Sequence, residues 1–264
     1  MKDIHVYPIR TLKDNYVWAI VNSLKQCLYV VDPGESAPVM DFIEAHQLSL
    51  KGILITHHHW DHVHGVDDLL VKYAVPVVGA RHSPFPLLTH LVSGGDCVEL
   101  DVALPKLQVL DIPGHTLDHI AYYDEGRLFC GDTLFGGGCG RIFEGTGSML
   151  YASLQKLSQL PDDTRIYCAH EYTLLNLQFA HCVEPDYLPV QQRIVQTKQY
   201  YQQGLASLPS LLQLEKETNP FLRCKDLHLQ QAVEAHVGRA LYSPEDVFIA
   251  LRHWKDNFVS PDLP

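Results

Sequence analysis

Five of the chain's 16 histidines fall within the eight positions 57 to 64, directly behind the apolar run Ile53-Leu-Ile-Thr. Such a run predicts a buried strand, and in an extended segment residues i and i+2 point the same way. His57 and His59 can therefore bite one ion while His58 faces elsewhere. Asp61 and His62 follow one turn onward, where the chain bends toward a helix, and can face a second ion beside the first. A tag-like histidine run would neither follow a strand nor carry the Asp-His extension. The fold must place a strand end at a metal-binding edge.

Three further segments share this build, an apolar run ending in a short turn that bears a ligand-type side chain: Ile112-Pro-Gly-His115, Phe129-Cys-Gly-Asp132 and Tyr167-Cys-Ala-His170. Singly, each resembles a turn cap. Together with the first cluster they complete two divalent sites that share one carboxylate. His57, His59, His115 and Asp132 serve one ion; Asp61, His62, His170 and the same Asp132 serve the other. These seven residues fill both ions, so His58, His64 and His119 are given no ligand role. Asp32, in Val31-Asp-Pro-Gly, fits an orienting carboxylate for a ligand histidine and a turn former equally well.

Around these loops, β-branched and aromatic runs predict strands at 4–9, 16–21, 27–31, 52–56, 75–78, 107–110, 119–123, 127–130 and 165–168. Helices are expected between them at 37–46, capped by Ser36, and at 65–73 and 148–160. Asn15 and Asn22 look like turn positions, which makes the opening strands an antiparallel meander. After residue 172 strand signals stop, and helices fit 188–203, 226–236 and 243–254. An α/β catalytic domain at 1–172 and a smaller all-helical substrate-binding domain at 173–264 are expected.

The formal charge of −11, with no basic run, argues against nucleic acid and anionic membranes as partners. Seven scattered cysteines without a CxxC pair suit buried thiols in a reducing compartment. The charged N-terminus lacks the apolar stretch of a secretory signal, so the cytoplasm is expected. No apolar run approaches the roughly 20 residues of a membrane span.

The motifs THHHWDH, PGHT, CGDTLF and AHEYT, in this order and spacing, resemble the metallo-β-lactamase superfamily. The segments GGCGRIFEG at 137–145, TNPFLR at 218–223 and LRHWKDNF at 251–258 are similar to its glyoxalase II (hydroxyacylglutathione hydrolase) branch. The resemblance implies a four-layer αββα sandwich followed by a helical domain that closes over the active site. It also implies hydrolysis of S-(D-lactoyl)glutathione to glutathione and D-lactate, the second step of methylglyoxal detoxification. A monomer is expected.

Two divalent ions sharing a water lower its pKa toward about 7 and create a bridging hydroxide, flanked here by the catalytic carboxylates Asp61 and Asp132. Zinc is the first expectation, and His/Asp sets also accept iron or manganese. A thiol of pKa about 8.5 leaves as thiolate without a strong general acid. An acidic protein needs local cations for this anionic peptide, and Arg141, Arg252 and Lys255 are the candidates. Arg252 and Lys255, spaced i, i+3 on a predicted helix, share a face and are expected as an exposed clamp for a carboxylate. Tyr172 offers a phenol beside the second metal. Arg141 and Phe143 match positions where the family often carries Lys and Tyr. Phe143 lacks the hydroxyl bond, worth about 0.5–1.5 kcal/mol, although main-chain groups of its loop could serve.

Three rivals remain at this level. A glutathione persulfide dioxygenase-like enzyme with one iron would leave Asp61, His62 and His170 largely unused. A nuclease of the same superfamily conflicts with the charge, and a non-catalytic metal-binding module would hold metal without turning over any thioester.

Overall fold

The computed structural model describes residues 3–259 and divides into two compact units. One comprises residues up to Asp111 together with Asp118–Gly131; the other comprises Ile112–Leu117 and the chain from Asp132 onward.

In the first unit the elements are β1 (Ile4–Thr11), β2 (Asn15–Asn22), β3 (Cys27–Val31), α1 (Ala37–Ala45), β4 (Ser49–Leu54), α2 (Trp60–Val63), α3 (Val66–Lys72), β5 (Val77–Ala80), β6 (His90–Val92), β7 (Cys97–Val98), β8 (Leu107–Asp111), β9 (Ile120–Asp124) and β10 (Arg127–Gly131). β1 to β6 lie side by side in chain order. The first three are the expected antiparallel meander, and the next pairings are parallel, with α1 between β3 and β4, α3 between β4 and β5, and a loop leading from β5 to β6. One face of the sheet (Val17, Ala19, Val21, Val30, Ile53) packs with Val39 and Ile43 of α1 and Val66 and Leu69 of α3 into one apolar core. β2 is buried on both faces, the pattern of a strand covered on both sides. Its residues Trp18 and Ile20 alternate with that core set. β10, β9, β8 and β7 form antiparallel neighbours. From β9, the Tyr122 hydroxyl donates to the Ile55 carbonyl at 2.8 Å. The unit is thus layered helix, sheet, sheet.

The second unit contains β11 (Leu134–Phe135), β12 (Gly138–Cys139), α4 (Gly147–Ser158), β13 (Arg165–Cys168), α5 (Thr173–Val183), α6 (Leu188–Gln202), β14 (Ser210–Leu211), α7 (Leu212–Thr218), α8 (Leu227–Val237) and α9 (Pro244–Asp256). An aromatic stack ties its helices together: Phe179 of α5 lies against Phe221 and against Trp254 of α9, and Phe221 against Phe248.

Every expected strand and helix forms, with ends moved by a few residues. β14 is the correction to the expected end of strand structure at 172. α5 escaped prediction because Thr173, Asn176, Leu177, Phe179, Ala180 and Val183 are all buried, so no polar stripe marks its outer face. Ser36 sits at the start of α1, but its hydroxyl donates to Asp68 rather than capping the helix. For α4 the cap is Thr146, whose side chain accepts from the Met149 amide. No helix among the described residues is long and apolar enough to cross a membrane.

Candidate active site

The ligand-type residues fall into two sets, one in each unit. In the first unit, β4 ends at Leu54 and the chain bends at Thr56 and passes through His57 to His59 before α2 begins. His57 Nε2 and His59 Nδ1 stand 3.1 Å apart, and His62 Nε2 is 3.5 Å from Asp61 Oδ2. His58 turns away, as the alternation requires, and its Nδ1 pairs with buried Asp118 at 2.9 Å.

Asp32, left between two roles by its sequence context, fills both. Its backbone takes a left-handed φ of 55°, as Asp in turns often does. Its carboxylate accepts from the Thr56 amide and hydroxyl at 2.7 Å each and from His62 Nδ1 at 3.0 Å. Because the Thr56 hydroxyl gives its proton to Asp32, its lone pair receives His57 Nδ1–H at 3.1 Å. Both imidazoles are therefore held as Nδ1–H tautomers with lone pairs on Nε2, the form that binds metal. Asn15, expected only as a turn residue, donates to Asp61 Oδ2 at 3.0 Å and fixes that carboxylate.

The second unit repeats the device. His115 Nδ1 donates to the Arg141 carbonyl at 2.6 Å, which leaves Nε2 as its acceptor. That Nε2 lies 3.5 Å from Asp132 Oδ2, and His170 Nε2 lies 3.4 Å from the same oxygen. Ligand atoms about 2.0–2.2 Å from a tetrahedral ion stand roughly 3.4 Å apart. The separations in both sets match that spacing, and neutral imidazoles with carboxylates are a suitable donor set, so the side chains present fit divalent metal. Asp32→Asn, which loses an acceptor while keeping the shape, is expected to weaken metal binding by about 10- to 100-fold in chelator competition. Unchanged affinity would remove Asp32 from this role.

The cations expected to read substrate come together in the second unit. Arg141 Nε approaches Asp256 at 4.0 Å, and the same carboxylate accepts from Arg252 at 3.0 Å. Arg252 is only 5% exposed, so the expected exposed clamp is corrected. Its guanidinium donates to the Cys139 carbonyl at 3.0 Å and packs 5.2 Å from the Phe221 ring. Among the described residues its buried Nε has no hydrogen-bond partner. Lys255 reaches the Leu175 carbonyl at 3.4 Å, and burial, reinforced by Arg252, lowers its pKa to about 8. The same burial pushes the Cys139 thiol up to about 11. Sequence reasoning missed Asp256, although the i, i+4 spacing to Arg252 was readable.

Tyr172 stacks on His170 with ring centroids 4.7 Å apart. Phe143 is 60% exposed and meets the His115 ring edge-on at 5.3 Å. The main-chain amides of Phe143 and Glu144 both donate to the His115 carbonyl, so they are not open to a ligand.

A model of the metallo-beta-lactamase superfamily matches residues 12–170, and one of the hydroxyacylglutathione hydrolase C-terminus matches 171–258. The hydroxyacylglutathione hydrolase of Nitrosomonas eutropha is 46% identical over 255 residues, covering 97% of this chain and 99% of its own length. That of Aeromonas hydrophila is 49% identical over 258 residues, covering 96% and 100%. Among solved structures, ETHE1 from Myxococcus xanthus superposes with a TM-score of 0.65 at 25% identity over 99% of this chain and 92% of that one. The fold is the αββα metallo-β-lactamase sandwich, followed by a helical segment, α5 to α9.

Proposed function

The chain belongs to the hydroxyacylglutathione hydrolase family of the metallo-β-lactamase superfamily, and from that membership we propose that it hydrolyses S-(D-lactoyl)glutathione to glutathione and D-lactate. The observation that carries this is the extent of the likeness: it runs on through the helical segment where Arg252 and Lys255 stand. A metal-storing module would have no use for cations gathered beside the 139–141 loop, and a mononuclear dioxygenase would leave Asp61, His62 and His170 largely unused.

His57, His59, His115 and Asp132 would hold one ion, and Asp61, His62, His170 and the shared Asp132 the other, with zinc first and iron or manganese accepted. When bound, the ions supply Lewis acidity that activates water and polarises the acyl oxygen. The chain's own work is positioning. Asp32 and Thr56 hold His57 and His62, and Asn15 holds Asp61. The guanidinium of Arg252 and the ammonium of Lys255 offer a peptide carboxylate charge-assisted bonds, and Arg141, which like Arg252 meets Asp256, adds a third cation. Tyr172 presents its phenol beside His170, and Phe143 contributes an apolar edge. We place the catalytic and substrate-binding domains at 1–172 and 173–264, and the enzyme in the cytoplasm as a monomer; none of its seven cysteines is in a disulfide.

The test is thiol release from S-lactoylglutathione by purified protein, followed with a thiol reagent alongside metal analysis. Release with about two ions per chain is expected; stoichiometric metal without turnover of any thioester would overturn the proposal.

The pH profile supplies a second check. Burial has lowered Lys255 to about 8, so below that pH the side chain is charged and above it neutral. A carboxylate binds the charged form better, hence KM is expected to rise as pH climbs through about 8, with affinity greatest below it. Lys255→Arg stays charged throughout and should flatten the rise. A wild-type KM that ignores pH across this window would separate Lys255 from substrate binding.

A further inference from the structure

The hairpin of β11 and β12 links Asp132 to Arg141, and its backbone is held by side chains of the helical segment. Asn219 Nδ2 donates to the carbonyls of Gly138 at 2.9 Å and Phe135 at 3.3 Å. Glu215 Oε2 accepts from the Gly137 amide at 2.8 Å, and Asn176 Nδ2 donates to the Gly136 carbonyl at 3.1 Å. All four turn residues are therefore gripped from α5, from α7 and from the residue after α7. Glycine is required for this closeness: Gly137 has φ 66°, and a Cβ on Gly138 would come 2.5 Å from the Asn176 amide carbon.

The grip carries a buried charge. Glu215 and Asn219 are both 0% exposed, and Glu215 is paired with Arg193, which also donates to Thr218 and Ser210. Burying a carboxylate and a guanidinium to secure a six-residue hairpin is costly where apolar packing would do for stability alone. What the polar grip adds is direction, because each bond fixes one backbone group. At the end of the hairpin the Cys139 carbonyl receives Arg252, and just beyond it the Arg141 carbonyl receives His115.

We propose that Asn219 and Glu215 are positioning residues for substrate recognition, setting where the 139–141 loop presents Arg141 and seats Arg252. The proposal rests on the reading of that loop as the contact for a glutathione thioester.

Asn219→Ser is the test. Its hydroxyl retains an acceptor for the Phe221 amide, which Asn219 Oδ1 now caps, while both donors to the hairpin are lost. KM for S-lactoylglutathione is expected to rise about tenfold with kcat within about twofold, metal content unchanged, and a small thioester lacking the peptide turned over as by wild type. Amide exchange over 135–140 should quicken while that of β1 to β3 stays as it was. If Asn219→Ser does not fold, Asn176→Ser removes a single donor, and a KM increase of about threefold is expected.

Faster exchange with unchanged KM would overturn the proposal, as would unchanged exchange. So would an equal loss on both substrates together with lost metal, since the hairpin would then be supporting Asp132 alone. A wild-type protein that leaves the glutathione thioester intact would sink the proposed function instead. The hairpin grip would then be judged by exchange and by the affinity for glutathione itself, with unchanged affinity in Asn219→Ser again overturning it.

Discussion

Asp132→Ala is expected to lower kcat on S-lactoylglutathione by far more than tenfold, the largest loss of any single substitution in the chain. The cause lies in the convergence of two imidazoles on one carboxylate oxygen, 3.5 Å from His115 and 3.4 Å from His170. A carboxylate in that position answers to both ions in the proposed assignment, so removing it damages both sites at once. Asp61→Ala would weaken one. Metal analysis separates the cases without any assay of turnover: the Asp132 variant should retain clearly less than one ion per chain under conditions where the Asp61 variant keeps about one. Since Asp132 is buried, its loss also leaves neighbours to be resolvated, and a melting curve must accompany the kinetics. An Asp132→Ala protein that is folded and keeps more than about a tenth of wild-type kcat, a loss under about 1.4 kcal/mol, would refute the shared-ligand role.

The ligand-type residues proposed for metal were legible in the sequence because each is local: a strand ends, a short turn follows, and one side chain is left at the rim. Strand alternation alone separates His57 and His59 from His58, and the structure sends His58 to Asp118. What surrounds the ligands was less legible. Nothing near Asn15 in sequence points to Asp61, 46 residues away. Asp32 gave an undecided signal because a turn and a hydrogen bond to His62 favour the same residue type. The hairpin grip joins residues about 80 positions apart, Gly137 to Glu215 and Gly138 to Asn219, and no periodicity encodes such a pairing. Helical spacing placed Arg252 and Lys255 on one face of α9, yet spacing is blind to what covers that face. Their burial emerges only when Cys139, Phe221 and Phe179 are in place around them.

That burial reshapes the expected result for Arg252→Ala/Lys255→Ala. Neither residue belongs to the metal sets, so ion content should survive while binding of the peptide weakens. Two charge-assisted bonds of about 1.5–3 kcal/mol each, reduced for the bonds both side chains already make within the protein, leave roughly 2–4 kcal/mol. KM for lactoylglutathione should therefore rise on the order of 30- to 700-fold, with a smaller change in kcat. A clamp standing in solvent would lose much of its strength in salt. Arg252 is 5% exposed, and Lys255 lies 5.1 Å from the Phe179 ring, so moderate salt should shift the wild-type KM only a few-fold. Because Arg252 also anchors the Cys139 carbonyl, the double variant has a structural cost that Lys255→Ala alone largely avoids. The single variant should show about half of the KM effect in free-energy terms at a melting temperature near wild type. A small thioester without the glutathione peptide is the control, hydrolysed poorly but almost equally by all three proteins. Equal losses on both substrates at normal metal content would mean that α9 supports the shape of the site, and that the peptide carboxylate is read elsewhere.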